Sequence, residues 1–137
     1  MERAIAMAAA AVLLVSACGG SAESGGPSKV TLTLGDFTIQ ASPASVPAGK
    51  ITFTAKNVGK IDHEVAVIKT DLAHDKLPPR ANDPKKVAED GNLGEIEDIA
   101  PGASKDLTLD LKPGKYVLIC NVESHYASGM HIPFEVR

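Results

Sequence analysis

The chain has 137 residues, of which 44% are apolar and 4% are aromatic, so we expect one domain with a core of Val, Ile and Leu. Its formal net charge is -3, which excludes the strongly basic surface typical of nucleic-acid-binding proteins.

The first residues have the pattern of an export signal. Residues 4–17 carry no charge, and this stretch is too short to span a membrane but long enough for the apolar part of a signal peptide. Small residues before Cys18 resemble a bacterial lipoprotein processing site, so we predict a signal peptide over residues 1–17 and a lipid on Cys18. The alternative is an ordinary secretory signal cleaved near Ala22. Residues 18–28 are predicted to be a flexible tether that holds an exported domain to a membrane on its periplasmic or extracellular side.

Residues 29–137 have the pattern of an all-β domain. Apolar and polar residues alternate, as in half-buried strands, over residues 30–34, 37–40, 51–57 and 105–111. A further strand begins at His63, and its period places His63, Val65 and Val67 on one face. The run from Tyr116 to Cys120 is apolar on both faces, which predicts a central strand.

Residues 71–98 interrupt the strand pattern. Asp83 followed by Pro84 is typical of a helix start and Gly91 of a helix end, so we predict a short helix over 84–90 inside a long inserted surface loop. Long insertions in compact domains are often functional, and we expect this one to pack near the metal end or to form part of a docking face. His74 lies in this segment, and we expect it to be a solvated surface histidine.

The strand that ends at Cys120 leads into a donor motif of spacing C-x4-H-x4-M. The motif consists of Cys120, His125 and Met130, and His63 is the candidate fourth donor. Thiolate and thioether sulfur suit Cu(I), imidazole also suits Cu(II), and together they form the donor set of a blue-copper site. Zinc would leave the methionine without a role. The neighbouring His131 should point away from the other donors, because successive side chains of an extended segment alternate.

Each donor also has a simpler structural interpretation. Cys120 can be a buried core thiol and Met130 a core residue, and His63 can be a partly buried histidine bonded to a carbonyl. However, Cys18 is expected to be lipidated or removed, which leaves Cys120 as the single free thiol of an exported protein. A metal would deprotonate and protect that thiol. The combined spacing therefore favours a metal site.

These residues and their spacing resemble the cupredoxin family, over roughly residues 29–137. The resemblance implies a Greek-key β-sandwich that binds one type 1 (blue) copper. It also implies that His63, Cys120 and His125 are the strong in-plane ligands and Met130 the weak axial ligand. The chain departs from the family pattern at Glu64, where many members have Asn, and at residues 123–124, which are Glu-Ser where members often have Pro-Gly. These departures bear on the redox potential more than on copper binding.

The resemblance implies a one-electron carrier of the cell envelope, with redox proteins as partners and a monomeric state. We do not predict an enzyme, because no nucleophile with a base and an orienting group emerges and the site has no open position for a substrate. The alternative function is copper binding or copper delivery by the same donors, and a third is a metal-free accessory sandwich. By analogy with the family, Tyr126, Met130 and residues 132–133 are expected to flank the surface through which electrons leave.

Overall fold

The computed structural model describes residues 26–137. The predicted signal peptide over 1–17, Cys18 and most of the predicted tether over 18–28 lie outside the described residues. Between residues 26 and 137 every regular element is a strand, and this part of the chain has no helix with the length and hydropathy to cross a membrane. The strands are β1 (Ser28–Gly35), β2 (Thr38–Ser42), β3 (Ser45–Val46), β4 (Gly49–Asn57), β5 (His63–Lys69), β6 (Pro79–Arg80), β7 (Asp83–Val87), β8 (Asn92–Ile99), β9 (Ser104–Leu111), β10 (Gly114–Ile119) and β11 (His131–Val136).

Two mixed sheets form a sandwich. One has the strand order β2-β1-β4-β9 and the other the order β3-β11-β10-β5-β8. Strands β1 and β4 pair in parallel, as do β3 and β11, and the other pairs within these two sheets are antiparallel. Inward-facing residues of both sheets build one core, which includes Leu32, Phe53, Val67, Leu118 and Phe134. The predicted all-β sandwich class is confirmed.

The period of each strand explains which residues enter this core. In β4 the side chains of Ile51, Phe53 and Ala55 are fully buried, whereas Thr52 and Thr54 between them are half-buried. Successive side chains of a strand point to opposite faces, so a run with apolar residues at every second position buries one face only. Strand β4 therefore lies with one face on the core and the other towards water.

The five-stranded sheet is covered on both faces, unlike its partner. Residues 70–91, which connect β5 to β8 and contain the small sheet of β6 and β7, supply buried side chains to a second apolar cluster. That cluster consists of Ala66, Ile68, Leu77, Val87, Val117, Ile119 and Tyr126. The segment, called the cover below, accounts for the apolar residues on both faces of β5 and β10. It also contacts the loop after β10, as expected for an insertion that packs near the metal end.

The predicted helix over 84–90 is wrong. Asp83–Val87 is strand β7, paired with β6, and Gly91 lies just before β8. The Asp83 side chain does accept a hydrogen bond from the main-chain N–H of Lys85, at 3.2 Å, but it does so at the first residue of a strand and not at the start of a helix. The pairing with β6 and the hydrogen bonds of Val87 with Asn121 therefore overrode a local helix signal.

The side-chain amide of Asn121 joins the cover to the end of β10. Its Oδ1 accepts a hydrogen bond from Val87 N–H at 2.9 Å, and its Nδ2 donates to Val87 O at 3.0 Å and to Glu89 Oε1 at 2.6 Å. Asn121 is fully buried and directly follows Cys120. The residue that fixes the cover is thus next to the candidate metal donor.

We expect Asn121→Ala to lower the free energy of unfolding by about 1–3 kcal/mol, because it leaves buried main-chain groups of Val87 without partners. Chemical denaturation of the metal-free protein measures this difference. The exposed Gln40→Ala is a suitable control, since surface substitutions usually change stability by less than about 0.5 kcal/mol. Equal stability of the two variants would show that water replaces the amide without cost.

Candidate metal centre

Strand pairing brings two of the candidate donors together. Strands β5 and β10 are antiparallel neighbours, with Ala66 opposite Ile119, so the first residue of β5 and the residue after β10 lie at the same end of the sheet. These residues are His63 and Cys120. A bulge between His63 and Val65 in the pairing of β5 with β8 is the kind of irregularity that re-aims a side chain. The main-chain N–H of Glu64 lies 3.4 Å from Cys120 Sγ, as a hydrogen-bond donor to it.

Main-chain hydrogen bonds fold the loop between β10 and β11 back on itself. Cys120 N–H donates to Met130 O at 3.0 Å, and Met130 N–H donates to His125 O at 3.1 Å. Gly129 has a φ of 102°, a backbone conformation that glycine adopts without strain, and this allows the return. These bonds therefore bring the main chain at Cys120, His125 and Met130 close together.

The nitrogen and sulfur atoms of three donors form a small triangle. His63 Nδ1 and His125 Nδ1 are 3.3 Å apart, and they lie 3.9 Å and 3.4 Å from Cys120 Sγ. Ligands at about 2.0–2.3 Å from one ion in a trigonal arrangement are separated by about 3.5–3.7 Å. Among the His, Cys, Asp and Glu residues of 26–137, these three side chains form the group whose donor atoms are close enough together to hold one metal ion.

The site is closed to water. Cys120 and Met130 are fully buried, His63 is 1% exposed and His125 is 7% exposed. Burial raises the pKa of the Cys120 thiol, and the Glu64 N–H opposes this only in part. Burial, with a further contribution from His63, lowers the pKa of His125. The imidazole is therefore neutral and ready to bind a metal, whereas the thiol must first lose its proton. Metal binding at this site should release that proton to solvent.

The chemistry of the donors fits copper. Two imidazoles and a thiol, with a buried thioether in the same loop, match the His2Cys set with a weak axial Met. The other ring nitrogen of His63, Nε2, is buried with no hydrogen-bond partner in the described part of the chain. Since Nδ1 faces the site, Nε2 is the nitrogen that carries the proton when His63 is a ligand.

The lowered pKa of His125 gives a testable pH dependence. The unfolded chain binds a proton at this imidazole below about pH 6.5, whereas the folded chain leaves it neutral until a lower pH. The stability of the metal-free protein is therefore complete above that pH and decreases as the pH falls through it. We expect the denaturant midpoint to drop between about pH 7.5 and about pH 5.5, a range above the titration of ordinary carboxylates. His125→Gln should weaken this dependence, and a midpoint that is independent of pH in the unmodified protein would contradict it.

His131 lies away from the three donors and pairs with His74. The two Nδ1 atoms are 2.7 Å apart, so one ring donates a hydrogen bond to the other, and the His131 ring also packs on Tyr126 with 4.6 Å between centroids. Tyr126 OH in turn donates to His74 O at 2.7 Å. The expectation that His74 is a solvated surface residue is wrong, because the cover folds onto the metal loop and half-buries it.

The residues expected to flank an electron-exit surface are only partly at the surface. Tyr126 is 8% exposed and Met130 is fully buried, so neither forms a docking face, whereas Ile132 is half-buried and Pro133 is exposed. Glu123 points to Lys85 of the cover, with Nζ and Oε2 3.2 Å apart. The exposed apolar ring beside the site belongs to Phe37, which is 42% exposed and meets the His125 ring edge-on at 5.2 Å.

Sequence reasoning missed the residues that support the donors. Asn57, fully buried at the end of β4, donates from Nδ2 to Ile61 O and to Ile99 O, both at 2.8 Å, and so shapes the approach to His63. Asn121 fixes the cover to the end of β10 through its hydrogen bonds to Val87 and Glu89. A polar residue directly after an apolar strand was the available signal, although it does not identify the hydrogen-bond partners, which lie up to 42 positions away in the sequence.

Comparisons with known proteins agree with this geometry. A family model described as a cupredoxin-like domain matches residues 5–132. The iron uptake system component EfeO of Yersinia pseudotuberculosis serotype I (strain IP32953) is 28% identical over 116 residues, which is 85% of this chain. The chain spans only about a quarter of that relative, 26% of its length.

Two groups of solved structures have a similar fold. The crystal structure of reduced auracyanin from Roseiflexus castenholzii matches with a TM-score of 0.61 and 23% identity, over 82% of this chain and 99% of the other. A structure of rusticyanin from Thiobacillus ferrooxidans matches with a TM-score of 0.63 and 20% identity, over 83% of this chain and 79% of the other. At these identities the likeness establishes the fold.

Proposed function

Because the chain belongs to the cupredoxin-like family, with copper as its cofactor, we propose that it is a type 1 copper protein that carries one electron at a time. In this proposal His63, Cys120 and His125 are the in-plane ligands and Met130 is the axial ligand. The observation that carries the assignment is the buried triangle of His63 Nδ1, His125 Nδ1 and Cys120 Sγ. The proposal does not include an enzymatic activity.

The arrangement of the protein suits electron transfer. Bound copper supplies a centre that alternates between Cu(I) and Cu(II), and thiolate, thioether and imidazole together accept both states. Two strand ends and a hydrogen-bonded loop hold the donor residues in place. Burial excludes water, which would otherwise bind the metal and reorient when its charge changes. A site fixed in this way changes little when the charge changes, which lowers the cost of each transfer.

Titration of the purified metal-free protein with Cu(II) tests the proposal. A type 1 site should give an intense visible absorption from the thiolate, saturating at one copper per chain. Rapid one-electron reduction and reoxidation, with slow loss of copper, would support the carrier. A colourless protein would leave a metal-free sandwich as the better account.

Copper binding or delivery is the second candidate function. The relative EfeO is named as a component of an iron uptake system, a role in metal supply and not in electron transfer, and this is the observation that favours the second candidate. A delivery protein must release its metal, whereas here all four proposed ligands are buried. Fast transfer of Cu(I) to a competing chelator, faster than spontaneous electron exchange between protein molecules, would favour delivery.

We also propose that the protein is exported and tethered to a membrane by a lipid on Cys18. The support is the apolar stretch over 4–17, the small residues before Cys18 and the flexible composition of residues 18–28. The domain would work as a monomer with redox proteins of the envelope. Mass spectrometry of the mature chain from the membrane fraction should show Cys18 as the first residue, heavier by the mass of its lipid, and an unmodified first residue would contradict the anchor.

A further inference from the structure

The turn between β1 and β2 reaches the metal centre from the opposite sheet. Asp36 and Phe37 form this turn, and each contacts a different histidine. Asp36 Oδ1 lies 3.4 Å from His63 Nε2, and the Phe37 ring meets the His125 ring edge-on. Two adjacent residues of the four-stranded sheet therefore touch both imidazoles of a site whose donors come from the five-stranded sheet.

His63 needs an acceptor at this place. Its Nδ1 faces Cys120 and His125, so metal binding leaves the proton on Nε2. Nε2 is buried and has no hydrogen-bond partner among residues 26–137, and an unpaired buried donor is costly. The Asp36 carboxylate is the nearby acceptor, with Oδ1 3.4 Å from Nε2, and a small adjustment of either side chain would complete a hydrogen bond.

The position of Asp36 is itself fixed. Lys60 N–H donates to Asp36 Oδ1 at 2.8 Å. Asn57 Oδ1 accepts from Gly59 N–H at 2.9 Å and holds the loop that carries Lys60. A Cβ at Gly59 would collide with Asp36 Oδ1, so only glycine leaves room for the carboxylate. The fold therefore holds the Asp36 carboxylate beside His63 through several contacts.

The strained backbone conformation of Phe37 also indicates that this turn has a role at the metal centre. Its φ is 63°, in a region that bulky residues occupy at a cost of about 1–3 kcal/mol. The ring is 42% exposed, so burial of the side chain does not offset that cost in full. Such strain is typical of functional sites, and here it accompanies an edge-on contact of the ring with His125.

We propose that Asp36 is a positioning residue of the copper site, which accepts the Nε2 proton of His63, orients that imidazole and favours Cu(II) over Cu(I). This inference rests on the proposed function. The orienting part follows from the hydrogen bond, because an acceptor on the far nitrogen fixes the ring and raises its basicity. The effect on the two copper states follows from charge, because a carboxylate close to the ligand stabilises the more positive ion.

The copper potential of Asp36→Asn tests the proposal. Asparagine keeps the shape and an acceptor oxygen but removes the charge. We expect the ratio of Cu(I) to Cu(II) affinity to rise about 3- to 10-fold, which is an increase of about 30–60 mV for one electron. Asp36→Ala should shift the potential in the same direction and should also broaden the spectrum of the site. Asp110→Asn is the matched control, because Asp110 is an exposed carboxylate that lies opposite Lys50, at the end of β4 away from the metal centre, and it should leave the potential unchanged.

A second measurement does not depend on copper. In the metal-free protein, nitrogen NMR of the histidine rings reports which nitrogen of His63 carries the proton. We expect the Nε2–H form in the unmodified protein and a mixture of both forms in Asp36→Ala. Gly59→Ala, which displaces the carboxylate without removing it, should reproduce the mixture.

The outcomes separate the two proposals. The role of Asp36 would be overturned if Asp36→Asn and Asp36→Ala had the same copper potential as the unmodified protein. It would also be overturned if His63 kept the same tautomer in Asp36→Ala and Gly59→Ala. Failure of the unmodified protein to bind copper would overturn the proposed function, whereas the NMR result would still decide whether Asp36 orients His63.

Discussion

Replacement of Cys120 by alanine is expected to abolish the intense visible absorption of the Cu(II) protein and to weaken Cu(I) binding by at least about 100-fold. Loss of a residue that only hydrogen-bonds to a metal ligand costs about 10- to 100-fold in metal affinity, and Cys120 is itself a proposed ligand and the single thiolate of the site. Its Sγ lies within 3.9 Å of both histidine nitrogens. Absorption spectroscopy and competition with a Cu(I) chelator measure the two effects.

Ser128→Ala provides the control for this experiment. Ser128 lies in the same loop, and its exposed hydroxyl donates to Ser124 O, but it offers the site no donor atom. The control should bind copper with unchanged colour and affinity. If Cys120→Ala retained the absorption and the affinity of the control, the thiolate assignment would be wrong and with it the type 1 site.

Replacement of Phe53 by alanine is expected to lower the free energy of unfolding of the metal-free protein by about 3–5 kcal/mol. Phe53 is fully buried at the centre of β4, and its ring meets the Phe134 ring of the other sheet edge-on at 5.4 Å. The substitution removes this contact between the sheets and leaves a cavity in the core. Urea denaturation followed by circular dichroism measures the change.

Val58→Ala is the matched control, because Val58 follows β4 and is 56% exposed. It should change the free energy of unfolding by no more than about 0.5 kcal/mol. A loss below about 1 kcal/mol in Phe53→Ala would mean that the sheets repack around the smaller side chain, which would contradict a rigid core.

The strands could be predicted from the sequence because their signals are local. Alternation over 30–34, 51–57 and 105–111 identified three strands, since burying one face of a strand requires a period of two. The helix prediction over 84–90 failed because Asp-Pro and Gly are equally compatible with turns. What decides between the two is the pairing of β7 with β6 and the pair of hydrogen bonds between Asn121 and Val87, and the sequence of residues 84–90 shows neither.

The metal centre, too, could be predicted only in part from the sequence. The spacing of Cys120, His125 and Met130 lies within eleven residues of sequence and suggested a common site, and the structure places His63 beside Cys120 and His125. The contacts of Asp36 and Phe37 with the histidines join residues that are 27 and 88 positions apart by sequence number. Such contacts depend on how the two sheets pack, which a single sequence does not specify.

The way the cover is attached affects how this family can diversify. Strands β6 and β7 pair with each other and with neither large sheet, so the length of the segment between β5 and β8 can change without shifting the register of the sandwich. The outer face beneath it carries Ala66, Ile68, Val117 and Ile119. A homologue with a shorter connection would expose these positions to solvent and should therefore carry polar residues there. Deletion and hydrophilic replacement are thus expected to occur together in evolution.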